Sequence, residues 1–329
     1  MKKLIIILVV WFSLLIMLTY PVMGTSFRTN TRVLLRNNGF NFQDLVAYEQ
    51  GIRPEFKKDR LKLEAFLEQE VMLAEPVGTS LGLFYTREAL INADGETVNY
   101  YFDGLFDDYR QSQYNLDTDL LDRSAYGIFL GDRLYIGEEE KLDIFLRGKY
   151  IFGGKYNYRQ MDGELSGGLI FPVYSGERFQ INSNKKHGGT QGFSFDAEGR
   201  WEAPWGSDIV LRGDNIFSWI VWKNVYTRSM NGEEGKHYVN NYIGHFEPFY
   251  SLKINHRLVT LGVDYWRQLY PLALVHVKQD DQRVSFGRYG PLYTAELETD
   301  GLLVSLKSDQ INLPDAYNLS IELGMNFSF

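Results

Sequence analysis

The chain has 329 residues, no cysteine, and 42 acidic against 34 basic side chains, a formal charge of −8. The acidic balance argues against a nucleic-acid partner, whose phosphates call for a basic footprint. The missing cysteine excludes a disulfide scaffold, a thiolate metal centre and an acylated lipoprotein terminus.

At the N-terminus, Lys2 and Lys3 precede an apolar run from Leu4 to Leu18, then Pro21 and the small Gly24. This pattern predicts a secretory signal peptide over residues 1–24, cleaved after Gly24. Cleavage would remove two lysines and no acid and leave 32 bases against 42 acids. An uncleaved anchor carrying a soluble all-β domain is the competing expectation, because the run is long for a signal peptide. Nothing after residue 25 approaches the ~20 apolar residues a spanning helix requires, so a membrane-embedded mature chain has to be a closed barrel.

Residues 25–59 read as an N-terminal segment ahead of the first strand. Asn41 with Asp44 three positions on makes a capping box, Phe40 and Leu45 a hydrophobic staple, and Gly51 followed by Pro54 a helix stop. A helix is expected at about 42–50, acting as a plug in a lumen or a latch on the periplasmic rim. A mobile leader is the other reading.

From residue 60 the period becomes two. Leu61, Leu63, Ala65, Leu67, Val71 and Leu73 alternate with Lys62, Glu64, Glu68 and Glu70. Leu81, Leu83 and Tyr85 share one face of the next run. Leu142, Ile144, Leu146 and Tyr150 alternate with Asp143, Arg147 and Lys149, ending at an expected turn, Gly153-Gly154. Met161, Leu165, Leu169 and Phe171 alternate with Asp162 and Glu164. Phe193, Phe195, Ala197, Trp201 and Ala203 alternate with Asp196, Glu198, Arg200 and Glu202. Val259, Leu261, Val263 and Tyr265 alternate with Thr260, Gly262 and Asp264, and Leu302, Val304 and Leu306 precede Lys307. Turn signals stand at Pro204-Trp205-Gly206, Asn231-Gly232 and Asn255-His256-Arg257. The stretches 107–121, 183–191 and 228–237 read as longer outer loops, while 213–230 is open between strand and helix.

The last segment, Leu319 to Phe329, places Leu319, Ile321, Leu323, Met325, Phe327 and Phe329 on one face and Ser320, Glu322, Gly324, Asn326 and Ser328 on the other. It resembles the C-terminal sorting signal of bacterial outer-membrane proteins, a terminal Phe after apolar residues at every second position. The resemblance implies an assembly signal of Leu323, Met325, Phe327 and Phe329, read by the barrel-assembly machinery, and outer-membrane lipid around the folded chain. The 22 Phe, 22 Tyr and six Trp suit the aromatic girdles of such barrels, and equally an aromatic-rich soluble sandwich. The expected fold is all-β, an antiparallel transmembrane β-barrel over residues 60–329. Even numbering favours about 12 strands in a range of 10–16, the last closing against a first strand near 60–74.

If the polar faces line a lumen, they place Glu64, Glu68, Glu70, Asp143, Asp162, Glu164, Asp196, Glu198, Glu202, Asp264 and Glu322 inside, against Lys62, Arg147, Lys149, Arg200 and Lys307. Acid outnumbers base, which predicts a weakly cation-preferring channel or transporter for small solutes. Neutralisation in pairs across a closed, non-conducting barrel with a structural or adhesive role is the alternative. A hydrolase is a further alternative. Asp107-Asp108, Asp280-Asp281, His237 and His245 invite comparison with barrel proteases, whereas His187 lacks the serine two residues on that barrel phospholipases carry. The five histidines have no metal-binding spacing beyond His245-x-Glu247, so no cofactor and no metal are expected.

Overall fold

The computed structural model describes residues 26–53, 56, 58–74, 79–105, 113–137, 142–166, 176–182, 189–231, 234–279 and 282–328. The expected signal peptide and the residues flanking Gly24 lie outside them. The described chain is a single antiparallel sheet of sixteen strands. In chain order these are β1 (Ser26–Asn37), β2 (Arg60–Ala74), β3 (Thr79–Asp94), β4 (Gln113–Ile136), β5 (Leu142–Ser166), β6 (Gly176–Asn182), β7 (Thr190–Ala203) and β8 (Ser207–Asn231). The second half adds β9 (Glu234–Gly244), β10 (Phe249–Asn255), β11 (Val259–Trp266), β12 (Gln268–Gln279), β13 (Gln282–Tyr289), β14 (Leu292–Thr299), β15 (Leu302–Ser308) and β16 (Asn318–Ser328). Two helices, α1 (Phe42–Glu49) and α2 (Gly95–Leu105), interrupt the series.

The ring has fourteen staves, not twelve. β6 and β7 pair in turn with the upper and lower parts of the same two neighbours, β5 and β8, so together they form one broken stave. β9 and β10 do the same along β8. Every stave then pairs with its sequence neighbours, and β16 closes on β1 from Ser26↔Ser328 to Arg36↔Asn318. The first strand is therefore β1, inside the segment expected to precede the barrel, and the boundary at residue 60 moves to residue 26. β2 pairs instead with β1 and β3. Three further expectations fail for one physical reason, strands longer than a bilayer requires; the first is the outer loop 228–237, of which 228–231 belong to β8 and 234–237 to β9. Gly153-Gly154 is no turn: β5 runs through it with a bulge, because a Cβ on Gly153 would lie 2.0 Å from the Tyr126 ring and one on Gly154 2.1 Å from the Ser124 carbonyl. Residues 113–121 of the expected loop belong to β4, and 213–230 is strand, bent where Asn215 and Asn224 take positive φ.

Both termini of the ring lie at one end. The connections there are short, 204–206, 256–258 and 300–301 among them, whereas 38–59, 95–112 and 309–317 gather at the other end. Short periplasmic turns and long outer loops make the terminal end periplasmic. α1 forms with the expected caps: Asp44 N–H donates to Asn41 Oδ1 at 2.8 Å, Asn41 N–H to Asp44 Oδ2 at 2.9 Å, and Gly51 has φ +80°. It sits on the outer rim beside the turn Leu313–Asp315, far from the periplasmic rim, and lines neither described cavity. The Leu45 half of the expected staple lies outside the described side chains.

The outward face carries an apolar belt, with Leu81, Leu83, Ile128, Leu130, Leu146, Phe195, Leu211, Leu252 and Val275 exposed. Aromatic pairs edge it: Tyr126–Phe152 at 5.6 Å and Phe193–Trp219 at 5.7 Å above, Trp201–Trp205 at 5.4 Å below. From Phe193 to Trp201 is eight residues, about 20 Å of height at ~40° tilt, close to the apolar band of a barrel. β4, β5 and β8, at 24, 25 and 25 residues, rise well beyond that band, while β11, β13 and β14 have eight residues each. The bidentate Arg87–Asp122 pair on the outer face, 2.8 Å, stands above the belt. There α2 covers β4, where Tyr114 and Leu116 are buried on the outward face.

Candidate functional site

The inward face of the staves is polar, and its charges are bonded to one another. Arg147 of β5 donates to Glu70 of β2 at 2.6 Å and to Asp196 of β7 at 2.5 Å. Lys149, one inward step along, reaches Asp196 at 2.9 Å, Glu70 at 3.3 Å and Glu68 at 3.8 Å. Arg32 of β1 donates to Glu68 at 2.8 Å and approaches Asp214 of β8, 4.0 Å away, which Arg212 holds at 2.8 Å. Asp214 is set by the bend at Asn215: the Asn215 N–H donates to Asp196 Oδ1 at 2.8 Å and the Ser194 hydroxyl to Asn215 Oδ1 at 2.8 Å.

Some of these contacts cross the whole barrel. β1 and β8 are six staves apart and β1 and β10 seven, yet Arg32 approaches Asp214 and lies 4.9 Å from the Phe249 ring centroid. Fourteen staves in a round barrel would stand about 28 Å apart across the axis. Two side chains and a 4.0 Å gap bridge roughly half of that, so the section is oval, with Arg32 on its short axis.

A second layer lies nearer the outer end. Arg267 joins β11 to β12 at φ +60° and reaches Glu88 at 2.6 Å and Glu64 at 3.1 Å on the far wall. Arg123 shares Glu88 at 2.6 Å. Arg36 lies over Trp266 and Tyr270, 4.6 Å from each centroid. Against the tall wall the interior is apolar: Phe84, Phe129, Ile151, Tyr156, Trp222 and Phe246 are buried together, with Tyr156 stacked on Tyr242 at 4.2 Å. Cavities remain, two of them among these charges. The one of ≈ 120 Å³ lies toward the periplasmic end between Arg28, Glu70, Arg133, Arg147, Glu198 and Asp214. The other, ≈ 100 Å³, lies among Arg32, Arg36, Lys253, Asp264, Lys307 and Glu322. Arg212 lines both.

Of the residues expected in the lumen, Glu68, Glu70, Arg147, Lys149 and Asp196 meet in one network. Glu64 takes Arg267 and Arg36, the latter at 3.8 Å. Asp264, Lys307 and Glu322 line the second cavity and Glu198 the first, and Asp143 pairs with Arg133 at 3.6 Å. Four others do not belong to this group. Lys62 is exposed on the outer rim; Asp162 is exposed above the belt; Arg200 pairs with Asp208 at 2.6 Å in the open, and Glu202 is exposed beside that periplasmic turn. The side chain of Glu164 lies outside the described residues. In the terminal strand Leu323 is exposed and Met325 half-buried, while the side chains of Phe327 and Phe329 are not among those described.

The expected acid excess of the lumen is offset by eight bases that stand on other walls. Arg28, Arg32, Arg36, Arg123, Arg133, Arg212, Lys253 and Arg267 all turn inward, with Glu88, Asp214, Glu247 and Glu296 among the acids they meet there. A signal existed for β1: Arg28, Asn30, Arg32 and Arg36 recur at even spacing, opposite Thr29, Thr31, Val33 and Leu35. Of the protease-like comparison, Asp107-Asp108 and Asp280-Asp281 lie outside the described residues, as do the side chains of His237 and His187. His245 is exposed.

A closed antiparallel ring with an outward apolar belt, aromatic edges and a charged interior is the construction of a transmembrane β-barrel, and this chain is a barrel of the outer-membrane type. No protein-family model and no curated protein matches its sequence. Solved structures similar to it include the translocator domain of the autotransporter NalP from Neisseria meningitidis, with TM-score 0.41 and 10% identity over 96% of this chain and 92% of that one. The outer-membrane protease OmpT from Escherichia coli has TM-score 0.32 and 9% identity over 95% and 99%. The transport unit of the autotransporter AIDA-I from Escherichia coli has TM-score 0.29 and 12% identity over 95% and 94%. At these scores the likenesses carry no argument about what the barrel does.

Proposed function

We propose that the protein is a narrow conduit for small polar solutes across the outer membrane, exported by a signal peptide cleaved after Gly24, and that its gate consists of lumen side chains. The observation that carries this reading is the pair of polar cavities separated by a layer of ion-paired side chains. Side chains on staves change rotamer fast compared with any movement of a folded domain. The ring also has more staves than the small barrels that side chains simply fill. Balanced charge in the lumen gives a path with little preference between cations and anions, in place of the cation preference expected from the sequence.

The reading is tested by conductance of refolded protein in planar bilayers. A small unit conductance, well under that of an open sixteen-strand pore, is expected. A barrel that inserts, resists unfolding and never conducts would leave the structural or adhesive role instead. The cross-lumen contacts and the aromatic cluster around Trp222 favour that second reading.

A further inference from the structure

The cavity of ≈ 100 Å³ holds charged groups that the lumen network leaves out. Most of its cations are already paired: Arg32 with Glu68, Arg36 with Glu64, Arg212 with Asp214. Lys253 and Lys307 are not. Among the described residues neither makes an ion pair within 4.0 Å or a hydrogen bond; Lys307 lies over the Tyr289 ring, 4.1 Å from its Nζ, and feels the Glu322 carboxylate only from beyond contact distance. On the acid side Asp264 and Glu322 likewise have no ion pair among the described residues; the Tyr289 hydroxyl hydrogen-bonds Asp264, whose Oδ1 is still buried without a donor. Two bases and two acids therefore face one small cavity without touching each other. The backbone keeps them there: Lys253 is opposite Gly262 on β11, Ser251 opposite Asp264, and Lys307 opposite Ser320 on β16. Gly262 lets the two strands approach here, since a Cβ there would lie 2.5 Å from the Leu252 carbonyl oxygen and 3.1 Å from Lys253 Cγ.

Buried ionic groups are normally satisfied by a partner of opposite sign, and leaving them unpaired is costly. A simple anion would satisfy the lysines and leave Asp264 and Glu322 repelled. A simple cation would do the reverse. A small molecule carrying both charges satisfies both pairs. We infer that this cavity is a binding site for a small zwitterion of the α-amino acid class, its carboxylate on Lys253 and Lys307 and its ammonium on Asp264 and Glu322. The assignment rests on reading the lumen as a solute path and names the solute class that pauses in it.

The test is calorimetric titration of the refolded full chain in detergent micelles with L-alanine, acetate and ethylammonium in separate runs. Alanine should bind, and acetate and ethylammonium should bind at least about tenfold more weakly, the cost of one charged hydrogen-bonding end. Lys253→Met and Asp264→Asn should each weaken alanine binding by a similar factor. Glu322→Gln, which keeps the shape of the side chain and removes only its charge, serves as a variant less exposed to misfolding and should weaken it as well. Equal binding of acetate and alanine, or alanine binding that ignores all three substitutions, overturns the assignment, as does no alanine binding at all. Because binding in micelles needs no conduction, a barrel that binds alanine but never conducts refutes the conduit alone, and one that conducts without binding alanine refutes the zwitterion site alone.

Discussion

Replacing Arg147 with Met tests whether the lumen network holds the barrel together. The guanidinium is the centre of that network, bonded to Glu70 at 2.6 Å and Asp196 at 2.5 Å and lying 5.1 Å from the Phe129 centroid. All three charged side chains are nearly buried, 8%, 11% and 5% exposed. Removing one partner of a buried pair costs about 3–5 kcal/mol, because the other charge stays behind without compensation. Lys149 remains within 3.3 Å of both carboxylates, which places the loss at the lower end, about 3 kcal/mol, with up to ~1 more from the lost cation–π contact. Glu70→Gln in the same chain leaves Lys149 facing Asp196 one to one and should recover about 2 kcal/mol, since removing a whole buried charge set is often neutral. Urea titration of protein refolded into lipid vesicles, followed by tryptophan fluorescence, measures both values. A loss under about 1 kcal/mol for Arg147→Met, or no recovery on adding Glu70→Gln, would refute the idea that unpaired charge sets the cost.

Three further outcomes follow from parity, strain and closure. Val33 of β1 faces lipid between Ile321 and Leu67 while Leu34 lines the lumen, so Val33→Arg should cost about 2–4 kcal/mol near mid-membrane and Leu34→Gln much less in the same urea titration. Arg267 holds φ +60°, a region that costs a non-glycine residue about 1 kcal/mol or more; Arg267→Gly should therefore unfold at higher urea than Arg267→Ala, the reverse of the usual order in a strand. Met325→Asp, in a strand that closes on β1 at Thr29, should abolish the shift between folded and heat-denatured bands on a cold gel. Normal assembly of that variant would count against closure through β16.

The barrel was legible where one strand face is uniformly apolar. The run Phe193 to Ala203 and the terminal strand both show it, because lipid on one side and water or paired charge on the other impose a strict period of two. Legibility failed where the outward face stops meeting lipid. Above the belt β4 carries Asp117, Asp119 and Asp122, so its upper half reads as a polar loop although its backbone is fully paired. β1 is obscured differently: it falls in the segment that reads as lying ahead of the barrel, because the acidic partners of its arginines, Glu64, Glu68 and Asp214, are distant in sequence. The acid-rich reading of the lumen failed for the same reason, since one period-two run shows one wall and the balancing charge stands on another. Asn215 adds a local cause, a positive-φ bend that changes which residues of β8 turn inward.

Arg32 links this charge balance to the shape of the barrel. It stands on the short axis between Glu68 on one wall and Asp214 on the other, and between the Phe66 and Phe249 rings at 5.3 and 4.9 Å. The two cavities lie on either side of this level, with Arg212 lining both. Arg32→Ala removes the bridging cation; Glu68 keeps Lys149 at 3.8 Å and Asp214 keeps Arg212 at 2.8 Å, so the walls lose their attraction and feel only a partly neutralised push of like charge. The section should round up and the cavities join, raising unit conductance in planar bilayers. Arg32→Ala with Asp214→Asn removes the same bulk but not the same charge, since only one acid remains. If electrostatic release widens the lumen, the single variant conducts more than the double; if volume alone matters, the two conduct alike. Conductance of Arg32→Ala no higher than that of the unaltered chain would show that the short axis is held by the sheet itself and not by the side chain that crosses it.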